Sequence, residues 1–219
     1  MKHRHPLSAL CGTAALIALL FGTASTAHAD LNFKVSLDTT PLTGSLAVNA
    51  PFRVNFQLID GDGVANNLVT IENFSFGSGS AGGDLLLFGG AAGDLTGSIT
   101  LSDPDPGFIF NAFFQRFTPG NTLAFDVHTT TNYVGGTPDR FSFSIQDRWG
   151  ADIPTSGMAW EFIGVDLNGP TPVVEVYGAA GDYEDMGTPG LAMVPEPSPL
   201  ALLALALPIA AGRLRKRHA

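Results

Sequence analysis

Between about residue 30 and residue 177 the chain repeatedly alternates apolar and polar side chains. Phe33, Val35 and Leu37 are interleaved with Asn32, Lys34 and Ser36. Phe52, Val54, Phe56 and Leu58 form a second run, Leu123, Phe125 and Val127 a third, and Phe141, Phe143 and Ile145 a fourth. An extended chain sends successive side chains to opposite faces, so each run predicts a strand with one buried face. Trp160, Phe162 and Val165 predict a further strand, with Trp160 in the core and a slip near Gly164 that suggests a bulge. Val174 and Val176 mark the last strand, and less regular ones are expected over 71–76, 85–88 and 97–101.

Turn chemistry separates these runs. Asp60-Gly61-Asp62-Gly63, Gly77-Ser78-Gly79, Gly89-Gly90, Asp103-Pro104-Asp105-Pro106, Gly135-Gly136-Thr137-Pro138 and Asn168-Gly169-Pro170 all favour reversal of the chain. No long amphipathic helix is evident. Over 108–117, Phe110, Phe113, Phe114 and Phe117 fit one helical face, so a short docked helix is an alternative there. About nine or ten strands at hairpin spacing predict an all-β fold: an antiparallel β-sandwich of jelly-roll type over 30–177. The Gly-, Pro- and acid-rich stretch 178–193 reads as a linker.

Both ends carry a different pattern. Lys2 and Arg4 precede an apolar run over 7–21 that ends in Ala27-His28-Ala29. A basic start, an apolar middle and a small-x-small ending predict a signal peptide over 1–29, cut by signal peptidase between Ala29 and Asp30. An uncleaved anchor and acylation at Cys11 are the alternatives weighed, and Leu10 is too large for the residue before an acylated cysteine. At the other end Val194-Pro195-Glu196-Pro197 precedes an apolar run over 198–212 and a basic cluster of Arg213, Arg215, Lys216 and Arg217. The run is short for a bilayer and Pro208 interrupts it, yet counting from Met193 with Arg213 snorkelling makes a transmembrane helix passable. The basic end stays inside, which places the body outside the inner membrane.

The order Val-Pro-Glu-Pro, apolar helix, Arg-rich end resembles the PEP-CTERM sorting signal over 194–219. That resemblance implies an exosortase substrate, with Pro195, Glu196 and Pro197 as the recognition motif, in a Gram-negative bacterium that makes exopolysaccharide. It implies transient anchoring in the membrane, then release to the cell surface or extracellular matrix. A plain C-terminal anchor is the alternative. The body is also similar to a set of PEP-CTERM proteins of unassigned function, through Val35-Ser36-Leu37-Asp38-Thr39-Thr40-Pro41-Leu42, Phe56-Gln57-Leu58-Ile59-Asp60-Gly61, Asn73-Phe74-Ser75-Phe76-Gly77 and Phe141-Ser142-Phe143-Ser144-Ile145. This similarity implies export and an all-β body, but no chemistry.

Charge narrows the partners. All 20 acidic residues lie within 30–196, where the basic ones are Lys34, Arg53, Arg116, Arg140 and Arg148, a net of −15 for that span. Such a body repels phosphate backbones, so no nucleic-acid partner is expected. Removal of Cys11 with the leader leaves no thiol, which excludes disulfides, cysteine nucleophiles and thiolate metal sites.

Nothing in the sequence assembles a catalytic constellation. His128, the one histidine of the body, falls beside Asp126 on the face opposite Phe125 and Val127, and the preferred reading is a solvent-facing strand residue. Glu161 with Asp126 or Glu175 would be glycosidase pairs only if brought to a suitable separation in space. Asp60-Gly61-Asp62-Gly63 resembles part of a calcium loop but lacks the later oxygens and terminal Glu, so it reads as an acidic turn, as do Asp103 and Asp105, with calcium binding by these loops as the lesser alternative. No cofactor and no metal ligand is assigned. Among Trp149, Trp160, Tyr133, Tyr177 and Tyr183, Trp149 is the candidate glycan contact, because it follows Asp147-Arg148 at a strand end. The expected function is a non-enzymatic exported protein of the envelope or exopolysaccharide. The first alternative is a carbohydrate-binding module, and a glycoside hydrolase ranks below it.

Overall fold

The structure, a computed structural model, describes residues 30–104, 109–157 and 160–195. The signal peptide expected over 1–29 and most of the expected sorting tail, from Glu196 to Ala219, therefore lie outside the described residues. Among the described residues no helix is long and apolar enough to cross a membrane.

The body is an all-β sandwich, as the alternating pattern predicts. Its strands are β1 (Leu31–Asp38), β2 (Phe52–Ile59), β3 (Leu68–Ser75), β4 (Ser80–Ala81), β5 (Leu86–Phe88), β6 (Gly90–Gly93), β7 (Ile99–Ser102), β8 (Phe110–Thr118), β9 (Thr122–Thr129), β10 (Asp139–Gln146), β11 (Ile163–Leu167), β12 (Val173–Val176) and β13 (Gly190–Met193). One sheet runs β13-β1-β9-β3-β7-β6 and the other β12-β11-β10-β2-β8-β4, with β5 also paired to β8. Every strand pairing is antiparallel. The odd residues of β1 and β9 and the even residues of β2 meet in one core, which Phe56, Phe113, Phe125, Phe141 and Phe143 dominate. Burial of apolar surface at about 25 cal/mol per Å² makes that layer the main stabilising term.

Four expectations need correction. Where a short helix is the alternative by sequence, residues 110–117 instead lie in strand β8, with no helix among the described residues 109–117. Phe113 and Phe117 enter the core, while Phe110 and Phe114 lie on the outer face, where Phe88 of β5 packs on both at 6.3 and 5.9 Å. Phe88 is a lateral neighbour in the same sheet, so both faces of β8 carry apolar residues, the period of two is lost, and the phenylalanines imitate a helical stripe. Trp160 is neither in a strand nor in the core: it lies three residues before β11 and is 56% exposed. No bulge occurs at Gly164, where β10 and β11 pair without a shift. The irregularity lies instead between Glu72 and Ser75, with Asn73 at φ 57.

The stretch 178–193 is not a linker. A 3-10 helix at Gly181–Met186 buries Tyr183 and Met186, and β13 then pairs with the free edge of β1, Phe33 opposite Met193. Asn49 donates from Nδ2 to the Tyr183 hydroxyl at 2.9 Å, tying this turn to the loop before β2. Apolar burial and ladder hydrogen bonds together offset the entropy of ordering a Gly-rich segment. The backbone N–H of Val194 donates to the Asn32 carbonyl at 2.8 Å, so the ladder continues to the threshold of Pro195.

Candidate functional site

Across β2 and β10 the outer face of the second sheet is mostly polar, in contrast to the apolar patch of Phe88, Phe110 and Phe114 on β5 and β8. Residues 55, 57 and 59 of β2 and 140, 142 and 144 of β10 point away from the core, because their neighbours 54, 56, 58, 141, 143 and 145 fill it. Asn55, Gln57, Ile59, Arg140, Ser142 and Ser144 line an open cleft of about 390 Å³, with Asp152, the buried Glu161 and, at the rim, Trp160. A chain of hydrogen bonds fixes its floor. Gln57 Nε2 donates to Asn55 Oδ1 at 3.1 Å, Asn55 Nδ2 to Ser144 Oγ at 2.9 Å, and Ser144 Oγ to Asp152 Oδ1 at 2.7 Å. The Ser142 hydroxyl has no side-chain partner among the described residues, so polar capacity remains for a ligand.

Trp160 sits at this rim with φ +56, a left-handed conformation that a bulky side chain adopts only when its surroundings impose it. The next two residues, Glu161 and Phe162, are buried, and Phe162 reaches the core while its N–H donates to the Phe143 carbonyl. The sharp turn at Trp160 keeps its indole out of the core and beside the polar floor.

Arg140 organises the far side of the cleft. Its Nη1 donates to Asp166 at 2.6 Å, and its Nη2 donates to Glu175 at 2.7 Å and also to Glu161. Burial pushes the Glu161 carboxyl above the usual range, against the pull of Arg140. The hydrogen bond from Arg140 holds Glu175 below that range. Gly164 makes the arrangement sterically feasible, since a Cβ there would lie 2.0 Å from Arg140 Nη2 and 2.4 Å from Glu161 Oε1.

The other sequence candidates separate in space. Glu161 and Glu175 do meet, but on one guanidinium nitrogen that stands between them. Asp126 belongs to the other sheet and accepts from Lys34 at 2.9 Å and Asn73 at 3.0 Å. Burial opposes these bonds, yet they hold the Asp126 carboxyl low. His128 shares the outer face with Asp126 as expected, but its Nδ1 lies 2.7 Å from Asn32 Oδ1 and its Nε2 3.4 Å from Glu72, with both His128 and Glu72 well exposed. A neighbouring depression lined by Lys34, Asn73, Asp126 and Leu191 has its charged groups already paired with one another.

Trp149 is 67% exposed, as its position at a strand end suggests. The Arg148 guanidinium lies 4.8 Å from its ring centroid and occupies one face. It does not line the cleft; Trp160 does. Asp60 and Asp103, read as solvated turn residues, are instead buried and lie beside Asp139, a residue that local spacing gave no reason to select.

No family model, no curated protein and no solved structure matches the chain.

Proposed function

We propose that this is an exported, non-catalytic surface or matrix protein whose second sheet holds a saccharide of the envelope or exopolysaccharide. The observation that carries the binding reading is Trp160, exposed at the rim of a cleft floored by amides and hydroxyls. A sugar offers a CH-rich ring face to an indole and hydroxyls to amide and carboxylate groups, so an aromatic beside a polar floor is complementary to it. The chain passes repeatedly between the two sheets, which supports a jelly-roll-type arrangement. A hydrolase is the less favoured reading, because the cationic Arg140 occupies the space between the two carboxylates that would have to flank a glycosidic bond.

In affinity electrophoresis through gels containing the host polysaccharides, the protein is expected to be retarded. Trp160→Ala should weaken that retention about tenfold, the loss of one stacked aromatic, while Trp149→Ala leaves it within about twofold. Retention lost only in Trp149→Ala would move the site, and no retention on any envelope polysaccharide would remove the reading.

The proposed route to that location is the signal peptide over 1–29 and the PEP-CTERM-type tail over 194–219, processed by signal peptidase and exosortase. Intact mass of the protein from its host should give a species that begins at Asp30 and ends within 194–197, absent from a strain without the sorting protease. A full-length membrane form in both strains would mean that the tail is a simple anchor.

A further inference from the structure

Three carboxylates converge at one end of the sandwich. Asp60 follows β2, Asp103 follows β7 and Asp139 opens β10, so both sheets contribute. Each brings an oxygen within 4.8 Å of the other two, and all three side chains are buried, Asp139 completely and Asp60 to 4% exposure. None takes part in an ion pair among the described residues. Lys34, Arg53, Arg116 and Arg140 pair with other carboxylates, and Arg148 lies on Trp149 and donates to the Val48 carbonyl.

Backbone and amide donors hold the cluster in shape. Asp139 Oδ1 accepts from the Gly61 N–H at 2.8 Å and Oδ2 from Asn67 Nδ2 at 2.8 Å. Asp103 accepts from the N–H groups of Asn66 and Asn67 at 3.1–3.2 Å. Asp60 Oδ1 accepts from the Gly63 N–H at 2.6 Å. Asp60 Oδ2, equally shut off from solvent, has no hydrogen-bond partner. A buried carboxylate oxygen without a donor is costly, and two further carboxylates beside it make the cost larger. Burial, with the Asp139 charge adding to it, raises the Asp103 carboxyl although its backbone donors oppose this.

From this geometry we infer that Asp60, Asp103 and Asp139 bind a hard divalent cation, calcium in particular, that fastens the two sheets together. Oxygen-only ligands select calcium or magnesium over softer metals, and calcium tolerates the irregular geometry of ligands drawn from three separate chain segments. The cation would offset the charge of the three carboxylates, and because only the folded chain brings them together, the folded state binds it and gains stability by mass action. The glycine of Asp60-Gly61-Asp62 is required sterically, since a Cβ at Gly61 would lie 2.2 Å from the Pro138 carbonyl oxygen. This inference does not depend on the saccharide reading, because its readouts need no polysaccharide.

The test is thermal unfolding and titration calorimetry on the full chain, stripped with chelator and then given calcium or magnesium alone. Calcium in the 0.1–1 mM range of extracellular sites should produce a binding isotherm near one ion per chain. Near a hundredfold excess over the dissociation constant, the melting temperature should rise by about 5–10 °C. Asp60→Asn should abolish both responses, while its melting temperature without metal equals or exceeds that of the stripped wild type, because one buried charge is gone. Should that variant fail to fold, wild-type calorimetry decides alone. No calcium isotherm and no shift would overturn the inference, and a response to magnesium without one to calcium would overturn the choice of ion.

Discussion

Phe56→Ala is expected to cost about 3–5 kcal/mol of folding stability, a large share of the roughly 5–15 kcal/mol that a domain possesses. Phe56 is fully buried, and its ring meets those of Phe74, Phe113, Phe125, Phe141 and Phe143. Phe125 belongs to β9 of one sheet and approaches edge-on at 5.2 Å; Phe143 belongs to β10 of the other and stacks at 5.2 Å. Truncation therefore opens a cavity at the point where the sheets touch, and partners on two rigid sheets can collapse into it only partly. Chemical denaturation should show a lower midpoint with an unchanged slope, since the native fold and the surface exposed on unfolding stay the same. Phe88→Ala, at a ring 44% exposed, should cost no more than about 1 kcal/mol. Equal losses at the two positions would mean that the core does not lie where the fold places it.

Arg140→Ala is expected to cost about 2–4 kcal/mol near neutral pH, and the deficit should shrink in acid. The substitution leaves Glu161, Glu175 and Asp166 together without their cation, Glu161 with a side chain only 10% exposed. Breaking a buried ion pair costs more than the pair contributes, although solvent contact at Arg140 and Glu175 keeps this case below the fully buried one. The folded-state value of Glu175 is held down by Arg140, so this contact stabilises above the unfolded glutamate value of about 4.3 and is lost as pH falls through the lower folded one. Glu161 acts in the opposite sense, since burial raises its folded value and its own ionisation destabilises as pH rises. Without Arg140 both carboxyls rise, so the folded variant takes up protons at higher pH than the wild type does, and its deficit narrows as pH falls through those raised values. Denaturation midpoints of the two proteins across pH 3–7 check this. A deficit independent of pH would mean that Arg140 contributes packing alone.

Most of the fold can be read from the chain because its signal is local. Phe33, Val35 and Leu37, or Phe141, Phe143 and Ile145, declare a strand and its buried face within a few residues. Where both faces of a strand carry apolar residues the signal fails: Phe110 and Phe114 pack beside Phe88 of the paired strand β5, and no feature of 108–117 discloses that partner. Tryptophan is buried more often than not, and the exposure of Trp160 depends on its own left-handed backbone, which no local pattern discloses. The stretch 178–193 looked like a linker by composition, yet Tyr183 and Met186 are two apolar anchors that composition averages away.

The cleft and the acidic cluster were less legible still. Asp60, Asp103 and Asp139 are far apart in the chain, and sheet topology alone brings them together. Glycine and aspartate at 60–63 were a genuine hint, but a complete local ligand set was the wrong standard, since two of the ligands come from other loops. Trp149 was selected for exposure, which it has; the feature that matters for a ligand is the company of polar groups, and Trp160 has that.

The hydrogen bond from Val194 to Asn32 also fixes how the domain responds to force. Strand β13 runs antiparallel to β1, so the C-terminal exit lies beside the start of the first strand. Tension between a fixed body and a pulled C-terminus would load this ladder at its open end and break its bonds one after another, like a zipper. Strands deeper in the sheet share their load across two neighbours. Drag on the domain would thus peel away Gly190–Met193 first, lengthening the chain before Pro195 by a few residues while the aromatic core stays shut.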